Sequence, residues 1–329
     1  MTQVNYRFWL LLGLVLLIAA ATFGVLSLLI SPPPQPNTRA GTINPDATMQ
    51  QVIDSINQWT VNTWGQLTGQ IDNIDLDLML QDLLTQPTDS THNASTINYD
   101  QRTTTLCKKY ASICDITDLK WSYTPRQMFA YQLMLTYMIT TLEKFGYDPL
   151  VSLESITIDN FTNTRRGYAN ARLMVINTYQ IASYKEYLQV LAHELWHVID
   201  LGVIQWRSSQ INTSYTEFGK AKFQVDDPSL SFYAISWSNE NTLRAGMWPK
   251  DFVSGYGMSN PFEDFAETNN MYLYHREVFV YLASSSPTLL RKYNYFQWLF
   301  QSQFLSNNFN PTDLRSIDLQ FRSWDTTRM

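Results

Sequence analysis

The sequence predicts an α+β fold, and three features predict it. The run from Ala171 to Asn177 (ARLMVIN) is β-type, an amphipathic helix follows from Ser183, and a second, buried helix starts near Pro261. A mainly helical region and one uncharged apolar helix precede them. With 329 residues, 45% of them hydrophobic, the chain can bury a sizeable core in about two domains, or one with appendages.

Residues 8–30 carry no charge and are long enough to cross a bilayer as a helix, for which about 20 residues suffice. They predict a transmembrane signal-anchor over 1–30. Cleavage at Ala19-Ala20-Ala21 is the alternative, which would leave the body secreted. Cys107 and Cys114 are the only cysteines, and a local disulfide between them suits an oxidising compartment. Together these place a single-pass protein in the membrane with its body outside the cytoplasm.

Residues 31–46 read as a Pro/Asn/Thr-rich linker, 47–150 as a mainly helical region and 151–329 as the α+β domain. Gln86 to Thr105 is polar and reads as a loop. Pro125 to Phe145 reads as a helix stopped by Gly146, with Met128, Phe129, Leu133, Leu135 and Met138 facing the core. Ser183-Tyr-Lys-Glu186 has capping-box form and opens a helix striped by Tyr184, Tyr187, Leu188, Leu191, Leu195, Val198 and Ile199, with Gly202 as its stop.

Charge narrows the function. The net charge is −6, and 23 Lys+Arg offer no phosphate-tracking surface, which excludes nucleic acid as the main partner. With 12 glycines and neither GxGxxG nor GxxxxGK[ST], a nucleotide cradle is also excluded.

The capped helix carries His193-Glu194-Leu195-Trp196-His197, an HExxH pattern. Residues four apart share a helical face, so both imidazoles can reach one ion, and Glu194 points toward a bound water. With 4 His in 329 residues, random placement gives this pattern in about one such chain in a thousand. One zinc ion per chain is therefore expected, and catalytic zinc usually takes three protein ligands.

The third ligand is not His92, in a polar loop, nor His275, among aromatic residues; both read as structural. Glu263 and Glu267 lie four apart on a helix capped by Asn260 with Pro261 in its first turn. Their flanks, Phe262, Phe265, Ala266, Met271 and Tyr272, are those of a buried helix. Two buried carboxylates call for a cation. Spacing alone leaves the choice between Glu263 and Glu267 open.

Tyr256-Gly-Met-Ser-Asn-Pro-Phe-Glu263-Asp-Phe-Ala-Glu267, with His193 to Asp200 upstream, resembles the catalytic domain of anthrax lethal factor and its gluzincin relatives. The resemblance spans roughly Ala171 to Leu305 and departs from the usual segment at Pro261 and Asp264. It implies a zincin-like metallopeptidase domain in which His193, His197 and Glu263 bind zinc. Glu194 would act as general base, and Tyr256 would donate a hydrogen bond to the oxyanion. Glu267 would orient a ligand imidazole, and Asp200 would steady the helix or a ligand. It also implies that a substrate backbone pairs along Leu173–Asn177 as an exposed sheet edge.

The reading that follows is a membrane-anchored zinc endopeptidase acting on a peptide or protein. A non-catalytic adhesin module with structural zinc and a zinc amidase acting on cell-wall material are the alternatives. The first needs neither Glu194 nor Tyr256, and no cell-wall-binding repeat supports the second.

Overall fold

Thr124 and Gln127 show how local sequence sets the first long helix. Gln127 N–H donates to Thr124 Oγ1 at 3.3 Å while Thr124 N–H donates to Gln127 Oε1 at 3.0 Å, with Pro125 in the first turn. The computed structural model describes residues 98–120, 122–162, 165–204, 208–300 and 322–329, which lie in one compact unit.

The described helices are α1 (Tyr99–Lys109), α2 (Ala111–Cys114), α3 (Pro125–Lys144), α4 (Tyr184–Val198), α5 (Pro228–Ser236), α6 (Pro261–Tyr274), α7 (Arg276–Ala283) and α8 (Pro287–Leu299). The strands are β1 (Thr117–Leu119), β2 (Ser155–Asp159), β3 (Gly167–Ala169), β4 (Leu173–Asn177), β5 (Trp237–Asn239) and β6 (Thr242–Leu243). The architecture is mixed α+β.

The main sheet has the order β1-β2-β4-β3. β1 and β4 run parallel to β2, with Ile156 opposite Thr117 and Met174, while β3 is antiparallel to β4, with Tyr168 opposite Val175. β1 lies before residue 150 and β2 after it, so both segments supply strands to one sheet. α3 connects them, as a parallel pair requires. It stops at Gly146, which takes a positive φ of 89° while Tyr147 N–H closes the turn onto Leu142 O at 2.9 Å. Phe129, Leu133, Leu135 and Met138 are buried on it; Met128 is half-buried.

α4 crosses beneath this sheet and is buried along nearly its whole length. Ser183 Oγ accepts from Glu186 N–H at 3.1 Å, the first half of a capping box. The Glu186 carboxylate does not reciprocate; it accepts from Ala182 N–H at 2.7 Å and from Arg166 at 2.8 Å. α4 passes into a π turn, Ile199–Val203, where a Cβ on Gly202 would collide with Ser152. Trp196 sits at the centre of an aromatic core with Tyr147, Phe265, Phe296 and Phe300.

Several expectations are corrected. The polar stretch read as a loop up to Thr105 overlaps α1 from Tyr99 on; the one buried residue of α1, Leu106, is too little to give an apolar stripe. Asn98 caps it, Tyr99 packs on Phe129 at 5.8 Å, and a disulfide from Cys107 to Cys114 fastens it to α2. β4 is not an edge, because β2 and β3 flank it; among the described residues the edge strand on that side is β3.

The transmembrane assignment is also corrected. Among the described residues no helix is long and apolar enough to cross a membrane. α3 has the length, at 20 residues, but carries Arg126, Gln127, Gln132, Glu143 and Lys144. The expected span over 8–30 lies outside the described residues, as do the linker 31–46, the helical reading of 47–97 and His92. The single-pass, extracytoplasmic localisation and the membrane as partner are withdrawn.

Candidate metal centre

α4 and α6 pack face to face, which brings the HExxH segment against the glutamate helix. Asn260 Oδ1 accepts from Phe262 N–H at 3.0 Å and Glu263 N–H at 2.9 Å, fixing the start of α6 and with it the place of Glu263. Phe262, Phe265, Ala266, Met271 and Tyr272 are all buried, so α6 is held on several sides.

The three proposed ligands converge. His193 Nε2 lies 3.3 Å from His197 Nε2 and 3.2 Å from Glu263 Oε2, and His197 Nε2 lies 3.4 Å from the same oxygen. One donor atom from each of the three falls within 4.8 Å of the others. Two imidazoles facing each other through Nε2, with a carboxylate oxygen beside both, share a focus that suits one cation. Glu267 is fully buried, and its Oε1 lies 3.0 Å from His193 Nδ1. The two atoms are not aligned as a hydrogen bond, but a carboxylate this near Nδ1 favours a proton there and leaves the Nε2 lone pair to the cluster. The donor set of two nitrogens and one oxygen is that of a zincin-type site.

Electrostatics without a metal point the same way. Burial works against a charged His193, but the bonds and charges of Glu263 and Glu267 outweigh it and raise its pKa well above the ordinary value. His197 is raised likewise, burial being offset chiefly by Glu263. Burial would raise Glu263, yet the two imidazoles hold it far below the carboxylate range. The carboxylates thus favour positive charge at the focus, which protons supply in the metal-free protein.

Glu194 lies beside the cluster, buried, and burial raises its pKa against the opposing pull of His193 and His197. It abuts β3: a Cβ on Gly167 would stand 2.5 Å from Glu194 Oε1. Tyr256 sits in a short turn, Tyr256–Met258, with its ring stacked 6.1 Å from the His193 ring and its hydroxyl donating to Glu263 Oε1 at 2.9 Å. Burial and Glu263 hold the phenol protonated.

Asp200 lies in the π turn and accepts from Tyr233 OH of α5. His275 stands between α6 and α7, 3.2 Å from Gln189 Nε2, outside the cluster. Burial and Lys185 push its pKa down to about 4.

Sequence reading missed four contributors. Lys292 of α8, fully buried, donates to both oxygens of Asp264 at 2.7 and 2.8 Å, and Trp237 Nε1 adds a third bond at 3.1 Å. This explains the Asp beside Glu263. Arg166 ties Glu186 to Asp325, each at 2.8 Å, and Thr326 N–H donates to Glu267 Oε2 at 2.8 Å. Gly167 is the fourth. The only local signal was Arg165-Arg166-Gly167, which reads as a strand boundary.

No protein-family model matches the chain, and neither a curated protein nor a solved structure matches it. The metal-site reading therefore rests on the chain's own residues.

Proposed function

We propose that this chain is a zinc-dependent peptidase of the gluzincin type, hydrolysing peptide bonds in a peptide or protein substrate. The observation that carries the reading is the meeting of His193, His197 and Glu263 at one focus, with Glu194 and Tyr256 beside it. His193 Nε2, His197 Nε2 and the Glu263 carboxylate would hold the metal. Zinc, when bound, polarises the scissile carbonyl and brings the pKa of water down to about 7.

Glu194 accepts the proton of the attacking water as its oxygen bonds to the carbonyl carbon. It then delivers that proton to the amine nitrogen as the C–N bond breaks. Tyr256 O–H turns from Glu263 to the developing oxyanion and donates to it. Glu267 keeps His193 in its ligating tautomer. β3, the edge strand among the described residues and next to Glu194, offers backbone groups to an extended substrate. A module that kept zinc only for stability has no use for a buried glutamate and an aimed phenol beside the metal.

The test is direct. The purified chain, loaded with zinc, is incubated with a diverse peptide library with and without a chelator. Cleavage that the chelator stops and added zinc restores is expected. No cleavage at full zinc occupancy would contradict the reading.

A further inference from the structure

We infer that residues 322–329 form a positioning strap for the metal centre, with the Thr326 N–H holding Glu267 in the orientation that His193 requires. The inference rests on the peptidase reading for its catalytic consequences, but the strap itself is a matter of contacts.

This short segment bonds to three separate parts of the site. At the Tyr256 turn, Gly255 N–H donates to Ser323 O at 2.9 Å and Tyr256 N–H to Trp324 O at 2.6 Å. The Trp324 ring lies 6.0 Å from the Tyr256 ring, and a Cβ on Gly255 would stand 3.0 Å from Trp324 Cε3, so the approach is close. At α6, Thr326 N–H donates to Glu267 Oε2, and Asn270 Nδ2 donates to Thr326 Oγ1 at 2.9 Å. At the start of α4, Arg166 bridges Asp325 and Glu186, and Arg328 Nε donates to Glu186 Oε1 at 3.0 Å. Asp325, Thr326 and Thr327 are buried.

The consequence lies in Glu267. A buried carboxylate has two oxygens, and one of them faces His193 Nδ1. The other must find a donor, because an unpaired buried charge is costly. Thr326 N–H is that donor, so it sets which oxygen faces the imidazole and at what angle. The same stretch of chain, two residues back, fixes the backbone of Tyr256 through Trp324 O. One segment therefore positions a ligand imidazole from behind and the tyrosine from the other side.

Thr326→Pro in the full-length chain is the test. Thr326 opens a short 3-10 turn after an extended Asp325 (φ −140°, ψ 159°), a position where proline is tolerated, so the change removes the N–H donor with little backbone strain. Zinc affinity, read by competition with a chromophoric chelator, should fall about 10–100-fold. kcat per zinc-loaded site should fall with it while KM changes little. The His193 Nδ1 proton resonance should move. Thr326→Val keeps the N–H, loses only Oγ1, and should lose much less on every readout. Asp325→Asn, which takes the charge from the Arg166 tie without touching Glu267, should lower zinc affinity in the same sense but less, and it decides the matter if the proline variant does not fold.

Wild-type zinc affinity and an unmoved Nδ1 resonance in folded Thr326→Pro, or in Asp325→Asn where only that variant folds, would overturn the strap. Should the wild type cleave nothing while Thr326→Pro still loses zinc, the strap stands and the peptidase reading falls. Should the wild type cleave and the variants match it in zinc affinity, the reverse holds.

Discussion

Gly167 and Glu194 are in backbone-to-carboxylate contact: a methyl group at 167 would stand 2.5 Å from Oε1 and 2.8 Å from Cγ of Glu194. Real Cβ atoms do not approach so closely, so any side chain here must displace the glutamate or the strand. Gly167→Ala should retain zinc and lose cleavage, by up to about 100-fold if the carboxylate moves by about 1 Å. Paired with Glu194→Asp, whose shorter stem relieves the contact, the alanine should cost much less than it does alone. Steady-state kinetics on the four proteins of this cycle check it.

Glu194→Gln keeps the side-chain shape and leaves the three metal donors untouched. Zinc affinity should hardly change, and cleavage should fall by at least about 10²–10⁴-fold. Tyr256→Phe should cost about 10²–10³-fold, mostly in kcat. Glu263→Gln should differ from both, weakening zinc binding itself and recovering partly at high zinc. Parallel zinc titrations and peptide assays separate these patterns.

The Asp264–Lys292 pair has no exposure to solvent, and the Lys292 ammonium lies 4.0 Å from the Phe252 ring centroid. Burial pushes Asp264 up and Lys292 down, and their mutual attraction opposes both shifts. Removing one partner strands the other, so Lys292→Met should destabilise the fold by about 3–5 kcal/mol. Lys292→Met with Asp264→Leu should recover much of that loss. Urea unfolding of the single and double variants measures both.

Stability of the metal-free protein should depend on pH in a definite sense. Glu263, depressed on folding, contributes stability present above about pH 4.3 and lost as pH falls through its lower folded value. His193 and His197, raised on folding, contribute stability fully present below about pH 6.5 and lost as pH rises through their higher folded values. Burial also lifts Asp200 to about 6 and Asp227 to about 7, and such carboxylates lose stability as pH rises toward those values. Metal-free Tm should therefore fall from pH 6 to pH 8.5, and zinc should raise Tm more at pH 8 than at pH 6, where protons compete for the same nitrogens. A metal-free Tm that climbs over this range would contradict the assignment.

What the sequence made legible was what is local. His193, Glu194 and His197 share one capped helix, so their spacing already fixes a common face. Asn260 and Pro261 likewise marked the start of α6. Spacing left the choice between Glu263 and Glu267 open and only the resemblance named the first; in the structure the first lies on the Nε2 side of His193 and the second behind Nδ1. Contacts between distant parts left no periodic trace. Lys292 reaches Asp264 across 28 residues, Thr326 reaches Glu267 across 59, and Arg166 reaches Asp325 across 159. β3, three residues long, is too short to show alternation, which is why β4 was read as the edge.

His193, His197 and Glu263 meet at one focus, and zinc content shows whether they hold a metal ion there. Purified wild-type chain, freed of loosely held metal by dialysis, should carry about one zinc per chain by elemental analysis. The His193→Ala/His197→Ala double variant, shown folded by circular dichroism, should carry essentially none. Full zinc occupancy in that double variant would place the metal elsewhere and contradict a site built on these residues.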